Sequence, residues 1–175
     1  MINAVEQPVS FQVYMRDFVA RLGDWTPAGP ALLIGTALVS QFADLSGDHN
    51  AIHTDAVAAV RNGLPGPVAH GDLITCMLPT LAKDFYQQLL DTAQAYEKAV
   101  LNKGGSSVFH QLIPVDSSIR MVIRIDQSRE GNKIRPSHAT LMVEYRILLD
   151  GPLHIVQEGT RALIIANPEM CRQTK

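Results

Sequence analysis

The chain has 175 residues, of which 46% are hydrophobic and 18% charged, and its formal net charge at pH 7 is −2. This length and composition predict one folded domain with a real apolar core and exclude a disordered chain. The 15 basic residues form no long run, so a nucleic-acid partner is not expected. The longest apolar runs are too short to span a bilayer, and the N-terminus lacks a signal-peptide pattern, so no membrane partner is expected.

Cysteine content bears on the cellular compartment and on metal binding. The two cysteines, Cys76 and Cys171, are too few for a disulfide framework. A reducing compartment is therefore favoured, and we expect a cytoplasmic protein. Neither cysteine has metal-ligand spacing to a histidine, so the sequence predicts no zinc site. We expect no cofactor of any kind.

The chain before residue 70 is predicted to be mainly helical. Residues 10–22 have apolar side chains at helical spacing, with Ser10 as a candidate N-cap and Gly23 as the residue that ends the helix. The sequence then predicts several short elements: an edge strand at 31–34, a helix at 38–45, a helix at 56–60 capped by Thr54 or Asp55, and a rigid loop at 62–67.

The strongest helix signal runs from Asp72 to about Leu90, with apolar residues along one side. Pro79 lies inside this stretch and is expected to kink the helix. A separate helix is predicted over residues 91–100. The Gly-Gly-Ser-Ser run at 104–107 is predicted to break the chain.

The rest of the chain is predicted to form strands. Apolar residues occupy every second position in 119–126, and 140–149 alternates similarly. Asp150-Gly151 signals a hairpin into a further strand at 153–166.

One long buried helix followed by an antiparallel sheet is the pattern of an α+β domain. We expect a single domain over residues 1–175. Residues 1–30 would form an N-terminal helical extension and residues 167–175 a frayed tail.

The residues most suited to chemistry lie close together between residues 46 and 53. Asp48, Asn50 and His53 follow the turn formers Ser46 and Gly47. An acid, an amide and an imidazole so close in a non-helical segment could converge on one small site and move protons. Taken singly, the aspartate could be a turn residue and the histidine a core residue, but the combined pattern favours a site.

A second group of functional candidates opens the long helix. Gly71 has no side chain, so a ligand could approach its backbone N–H closely, and a helix start adds positive potential there. His70 precedes it and could brace the helix start or touch a ligand. A base, an acid and an oxyanion site are what proton transfer beside a carbonyl requires.

These motifs resemble a known family. The run F-A-D-L-S-G-D-H-N-A-I-H-T-D at 42–55, followed by A-H-G at 69–71, resembles the MaoC-like dehydratases, also called (R)-specific enoyl-CoA hydratases. Their pattern is S/T-G-D-x-N-P-x-H, then H-G leading into the central helix. The runs L-I-T-C-M-L-P and V-L-N-K-G-G-S-S-V-F are similar to the branch named after nodulation protein N. The resemblance covers residues 24–166.

The resemblance implies a hot-dog fold, with a long central helix wrapped by an antiparallel sheet. It also implies a homodimer with its site near the subunit interface, and an acyl-CoA or acyl-carrier-protein thioester as substrate. One position departs from the family pattern: Ala51 stands where proline is usual, which would leave the loop less stiff.

Matched by position, Asp48 and His53 correspond to the family's catalytic pair, Asn50 to its motif asparagine and Gly71 to its oxyanion-hole amide. We also expect substrate contacts from three neighbouring residues, His70, Gly47 and Ser46.

The predicted activity is the reversible hydration of trans-2-enoyl thioesters, with the reverse dehydration of (R)-3-hydroxyacyl thioesters. Which of Asp48 and His53 acts as base stays open at this point. One alternative is a hot-dog thioesterase, which would need a carboxylate on the central helix, where the chain offers Asp72 and Asp84. Another is a non-catalytic acyl-thioester-binding protein.

Overall fold

The computed structural model describes residues 10–92, 100–151 and 154–167. The predicted helix at 91–100 therefore falls mostly outside the described residues, as do the tail from residue 168 and Cys171. The helices are α1 (Phe11–Arg21), α2 (Thr36–Ser46), α3 (Ala51–Thr54), α4 (Ala56–Arg61), α5 (Gly71–Cys76), α6 (Leu78–Leu81) and α7 (Lys83–Thr92). The strands are β1 (Thr26–Pro27), β2 (Leu32–Ile34), β3 (Val100–Phe109), β4 (Ser117–Arg124), β5 (Lys133–Ile134), β6 (His138–Leu149) and β7 (His154–Ala166).

The strands form one antiparallel sheet in the order β1-β4-β6-β7-β3, with β2 paired to β4 and β5 to β6. Side chains alternate between buried and partly exposed along β4 and β6, as the period of two requires. The buried face packs against the helices, which confirms an α+β architecture. Among the described residues, no helix is long and apolar enough to cross a membrane.

Helix α1 forms where the spacing of apolar residues predicted it. The Ser10 hydroxyl accepts a hydrogen bond from the N–H of Val13, which satisfies one of the free donors at the helix start. Leu22 closes the helix one residue earlier than the predicted terminator, Gly23. The Phe18 ring packs against Phe85 of α7 with 6.0 Å between centroids, so α1 covers the outer side of the central helices.

The long helix predicted from Asp72 to Leu90 is wrong in one respect, because the structure divides it into α5, α6 and α7. Pro79 has no N–H to donate to the carbonyl four residues back, and the first break lies just before it. At the second break, the N–H of Phe85 donates to the Ala28 carbonyl at 2.9 Å instead of continuing the helical ladder. The segment that contains Ala28 can lie this close to the helices because residue 29 is glycine. A Cβ at Gly29 would lie 2.7 Å from the Leu81 carbonyl oxygen.

The chain break predicted at residues 104–107 is also wrong, because β3 runs through it. A bulge between Asn102 and Gly105 absorbs the irregularity, and Gly104 takes a φ of 109° that favours glycine. Glycine is required at Gly105 for a different reason: a Cβ there would overlap the Thr160 carbonyl of the paired strand. Turn-forming residues here serve close strand packing and do not end the strand.

Gly159 on β7 makes a similar close contact and provides a test of this packing. A Cβ at Gly159 would overlap the Ser106 carbonyl and lie 2.8 Å from the Tyr145 hydroxyl. We expect Gly159→Ala to lower the free energy of unfolding by about 1–3 kcal/mol, the usual cost of overpacking. The control is Gly66→Ala, where a Cβ meets open space. Urea titration showing equal losses for the two variants would contradict the close packing of β3 on β7.

Candidate active site

The turn that carries Asp48 is built by Ser46 and Gly47. Helix α2 ends at Gly47, whose φ of 77° is the left-handed conformation common at helix ends. The Ser46 hydroxyl donates to the Phe42 carbonyl at 2.7 Å and accepts from the N–H of Asp48 at 3.2 Å. Both residues therefore shape the turn; their expected contact with substrate stays a prediction.

Asp48 and Asn50 use their side chains to hold the next turn. One carboxylate oxygen of Asp48, Oδ1, accepts from the N–H of Asn50 at 3.2 Å, which leaves Oδ2 for other contacts. The Asn50 side-chain oxygen caps α3 by accepting from the N–H of Ile52 at 3.3 Å. Ala51 is the first residue of α3, where a backbone N–H has no partner within the helix. Proline and alanine at this position therefore leave the same hydrogen bonds within the helix.

His53 lies on α3, with its ring held by the backbone of a distant segment. Its Nδ1 lies 2.7 Å from the Val68 carbonyl oxygen, which can only accept, so Nδ1 carries a hydrogen. The other ring nitrogen, Nε2, is therefore left for contacts with other groups, and it lies 4.0 Å from Asp48 Oδ2. The His53 side chain is 11% exposed and that of Asp48 is 54% exposed, so the pair faces solvent from the carboxylate side.

His70 forms the floor of the site. Its ring stacks on that of His53 with 3.7 Å between centroids, and the Phe42 ring lies on its other side at 5.1 Å. Its Nε2 donates to the backbone carbonyl of Asp48 at 3.0 Å, which fixes the turn relative to the ring. Its Nδ1 is buried without a hydrogen-bond partner among the described residues. His70 is thus suited to positioning Asp48 and His53.

Gly71 begins α5 and lies directly after His70. Among the described residues, its N–H is paired with no acceptor, as expected for the first turn of a helix. The Phe109 ring covers its Cα, since a Cβ at Gly71 would be 3.2 Å from that ring. Glycine is therefore required for the packing of β3 on α5 as well as for access to the amide.

Asp48, His53 and His70 could also hold a metal ion, which the sequence did not predict. One ligand atom from each lies within 4.8 Å of the others, and imidazole and carboxylate are common zinc ligands. However, His70 Nε2 is already bonded to the Asp48 carbonyl. The two remaining atoms, His53 Nε2 and Asp48 Oδ2, suit one shared water and therefore proton transfer.

A cavity of about 420 Å³ lies next to these residues and was missed by the sequence reasoning. It is enclosed by α5, α6, α7 and the inner face of the sheet, and it begins at Thr75, one helical turn beyond Gly71. Its walls are mainly apolar, but Tyr86 and Arg161 also line it. Burial raises the pKa of Tyr86, and the charge of Arg161 opposes that shift. The sequence signal that could have indicated this cavity is Arg161, a basic residue at a core-facing position of β7.

The fold and the site define a class of protein: a hot-dog domain with an aspartate–histidine pair beside the start of the central helix. The model of the MaoC-like domain matches residues 17–144, most of the chain. The chain belongs to the MaoC-like domain family.

Solved structures share the fold. The (R)-hydratase from A. caviae, involved in PHA biosynthesis, is 25% identical with a TM-score of 0.55, over 81% of this chain and 94% of that one. A monoamine oxidase regulatory protein from Archaeoglobus is 15% identical with a TM-score of 0.65, over 83% and 90%. The HadBC (3R-hydroxyacyl-ACP dehydratase) complex from Mycobacterium tuberculosis is 15% identical with a TM-score of 0.62, over 81% and 95%. No curated protein matches the sequence significantly.

The hydrogen-bond partners of the two histidines predict their tautomers. Neutral His53 should carry its hydrogen on Nδ1, because Val68 O accepts from Nδ1. Neutral His70 should carry its hydrogen on Nε2, because the Asp48 carbonyl accepts there. NMR of protein with isotope-labelled histidine distinguishes the tautomers, and exposed His49 provides the unconstrained reference. An Nε2–H tautomer for neutral His53 would contradict the assignment.

Proposed function

We propose that the protein catalyses the reversible hydration of trans-2-enoyl thioesters to (R)-3-hydroxyacyl thioesters. The observation that carries the proposal is the 4.0 Å separation of His53 Nε2 and Asp48 Oδ2. One water can lie about 2.8 Å from both atoms, which is hydrogen-bonding distance. The Val68 and Asn50 contacts hold both groups in place before substrate arrives, so little reorganisation is needed.

In the proposed hydration step, the shared water attacks C3 of the enoyl group. Asp48 takes one proton from the water as the new C–O bond forms. His53, protonated, donates the proton on Nε2 to C2, and the electron pair of the double bond forms that C–H bond. The proton on Asp48 then returns to His53 across the short gap between them, which restores the starting state.

Negative charge develops on the thioester oxygen during this step. The Gly71 N–H is the candidate donor for that oxygen, because it has no acceptor among the described residues and follows His70 directly. Helix α5 has only six residues, so the amide itself is expected to contribute more than the helix dipole. Asn50 supports the step by capping α3, which carries His53.

The proposed substrate is an acyl-CoA or acyl-carrier-protein thioester. Support comes from family membership and from the activities of proteins with similar structures, an (R)-hydratase and a 3R-hydroxyacyl-ACP dehydratase. Within the family, we keep the nodulation protein N-like branch as a proposal based on the motifs at 73–79 and 100–109.

The thioesterase alternative is less favoured by the geometry. It needs a carboxylate on the central helix, and the two candidates from the sequence, Asp72 and Asp84, are exposed to solvent. Neither residue lines the cavity beside Gly71. Assaying crotonyl-CoA for hydration and butyryl-CoA for thioester cleavage in parallel separates the two activities.

We further propose a two-fold homodimer formed through β3. This strand lies at the edge of the sheet, so its outer backbone groups have no strand partner in the described chain. Large apolar side chains are also exposed along and just after it, namely Leu101, Val108, Phe109 and Leu112. Since Phe109 covers Gly71, a partner packed on β3 would lie close to the site.

The catalytic proposal predicts that Asp48→Asn and His53→Ala each lower kcat for crotonyl-CoA hydration at least about a hundredfold, the usual contribution of an acid–base group. The control is His49→Ala, since the His49 side chain is exposed and lies 3.9 Å from Asp44. Circular dichroism verifies that the variants stay folded. A near-normal rate for either site variant would rule out the shared-water mechanism.

The assembly proposal predicts an interface above about 1,000 Å² of total buried area. Leu101→Glu should shift the dimer towards monomer, because it places a charge on the apolar face of β3. Leu33→Glu on β2 is the matched control, since Leu101 and Leu33 are 57% and 59% exposed but lie near opposite edges of the sheet. Sedimentation that shows a fully active monomer at assay concentration would refute the proposal.

A further inference from the structure

The cavity beside Gly71 has a polar end that the proposed hydration chemistry does not use. Successive core-facing positions of β7 are Gln157, Gly159, Arg161, Leu163 and Ile165, because side chains alternate along a strand. Leu163 and Ile165 are buried apolar residues, as a core face requires. Arg161 instead places a charged group on the same face, and both it and Leu163 line the cavity.

The Arg161 guanidinium has few protein partners. It lies over the Tyr145 ring at 5.5 Å, and its Nη1 donates to the Thr160 carbonyl at 3.3 Å. A guanidinium has five N–H donors, so most of them are left for something else. Among the described residues, no carboxylate lies within ion-pair distance of Arg161.

Other strand arginines of the sheet do have carboxylate partners. On β4 and β6, these pairs are Arg120 with Asp150, Arg124 with Glu144 and Arg146 with Glu158. A half-buried arginine without such a partner loses hydration that the Thr160 and Tyr145 contacts replace only in part. Among the arginines of the described strands, Arg161 is therefore the one without a carboxylate partner, and it lines the cavity.

Further hydrogen-bonding groups lie at the same end of the cavity. The Tyr86 hydroxyl is near enough for the charge of Arg161 to affect it, and Asn102 lies at the bulge of β3. The other walls are apolar, with Leu78, Met121, Ile123, Val143 and Leu163. A ligand that fits these walls has an apolar middle and an anionic end.

Thr75 connects the cavity wall to the proposed reaction site, because it lines the cavity and contacts Gly71. The Thr75 hydroxyl donates to the Gly71 carbonyl at 3.4 Å and accepts from Gln157 Nε2 at 3.2 Å. Arg161 lies four residues beyond Gln157, which is about 13 Å along an extended strand. A thioester held at Gly71 could therefore extend an acyl chain of medium length to the guanidinium.

We propose that Arg161 binds a carboxylate at the far end of the acyl chain, so that the preferred substrates are ω-carboxyacyl thioesters. The proposal rests on the hydratase function for the reacting end of the substrate. Arginine is suited to this role because its planar N–H groups match a carboxylate in a bidentate pair.

The test compares trans-2-octenoyl-CoA with its ω-carboxy counterpart, trans-2-octenedioyl-CoA. The wild-type protein should have the higher kcat/KM for the dioyl substrate. Arg161→Gln should lower the ratio of the two kcat/KM values at least about tenfold, because a charged hydrogen bond is lost. Arg161→Lys should keep part of the preference, since it keeps the charge without the bidentate geometry. Arg120→Gln, which removes an ion-paired arginine outside the cavity, should leave the ratio unchanged.

A second measurement separates this proposal from the hydratase proposal. Suberoyl-CoA and octanoyl-CoA have saturated chains and cannot be hydrated, so calorimetry reports their binding alone. Tighter binding of suberoyl-CoA to the wild type but not to Arg161→Gln supports carboxylate recognition even if no hydration occurs. Equal binding of the two, or an equal loss of both in Arg161→Gln, overturns it. Failure to hydrate either enoyl substrate would overturn the hydratase proposal only.

Discussion

The hydrogen bond from His53 Nδ1 to the Val68 carbonyl is the contact on which the candidate site depends. It is one half of a reciprocal pair, because the N–H of Val68 donates to the carbonyl of Ile52, the residue before His53. Val68 is buried and bridges to Pro114, while the next residue, Ala69, donates to Ile113. Helix α3 is thereby tied to the segment before α5, and that segment is tied to the sheet.

From this contact the other features of the site follow. With the Nδ1 hydrogen committed to Val68, Nε2 faces Asp48. Stacking under the same ring brings His70 to the Asp48 carbonyl, which fixes the aspartate from its backbone side. The two rings thus carry their hydrogens on opposite nitrogens, because each ring has a different carbonyl partner.

The division of the central helix into α5, α6 and α7 matters for the proposed carboxylate site at Arg161. A continuous helix would pair its backbone internally and lie evenly along the sheet. Here Pro79 removes one donor, and Ala28 takes the N–H of Phe85, so the helix is divided and a cavity remains against the sheet. That cavity lies between Thr75, which contacts Gly71 of the candidate site, and Arg161.

The sequence by itself determined the local hydrogen bonds of caps and turns and the alternation of buried and exposed side chains along the strands. The Ser10 cap, the turn in which Asp48 and Asn50 each accept from an N–H two residues ahead, and the alternation along β4 and β6 involve partners only a few residues apart. Such patterns can be read from a short window. Tertiary structure alone decided the division of the helix, the continuity of β3 through its glycines, the stacking of His70 under His53 and the exposure of Arg161 to a cavity. Each of these depends on a partner far along the chain, such as Ala28 for Phe85 or Thr160 for Gly105, which competes with the local preference.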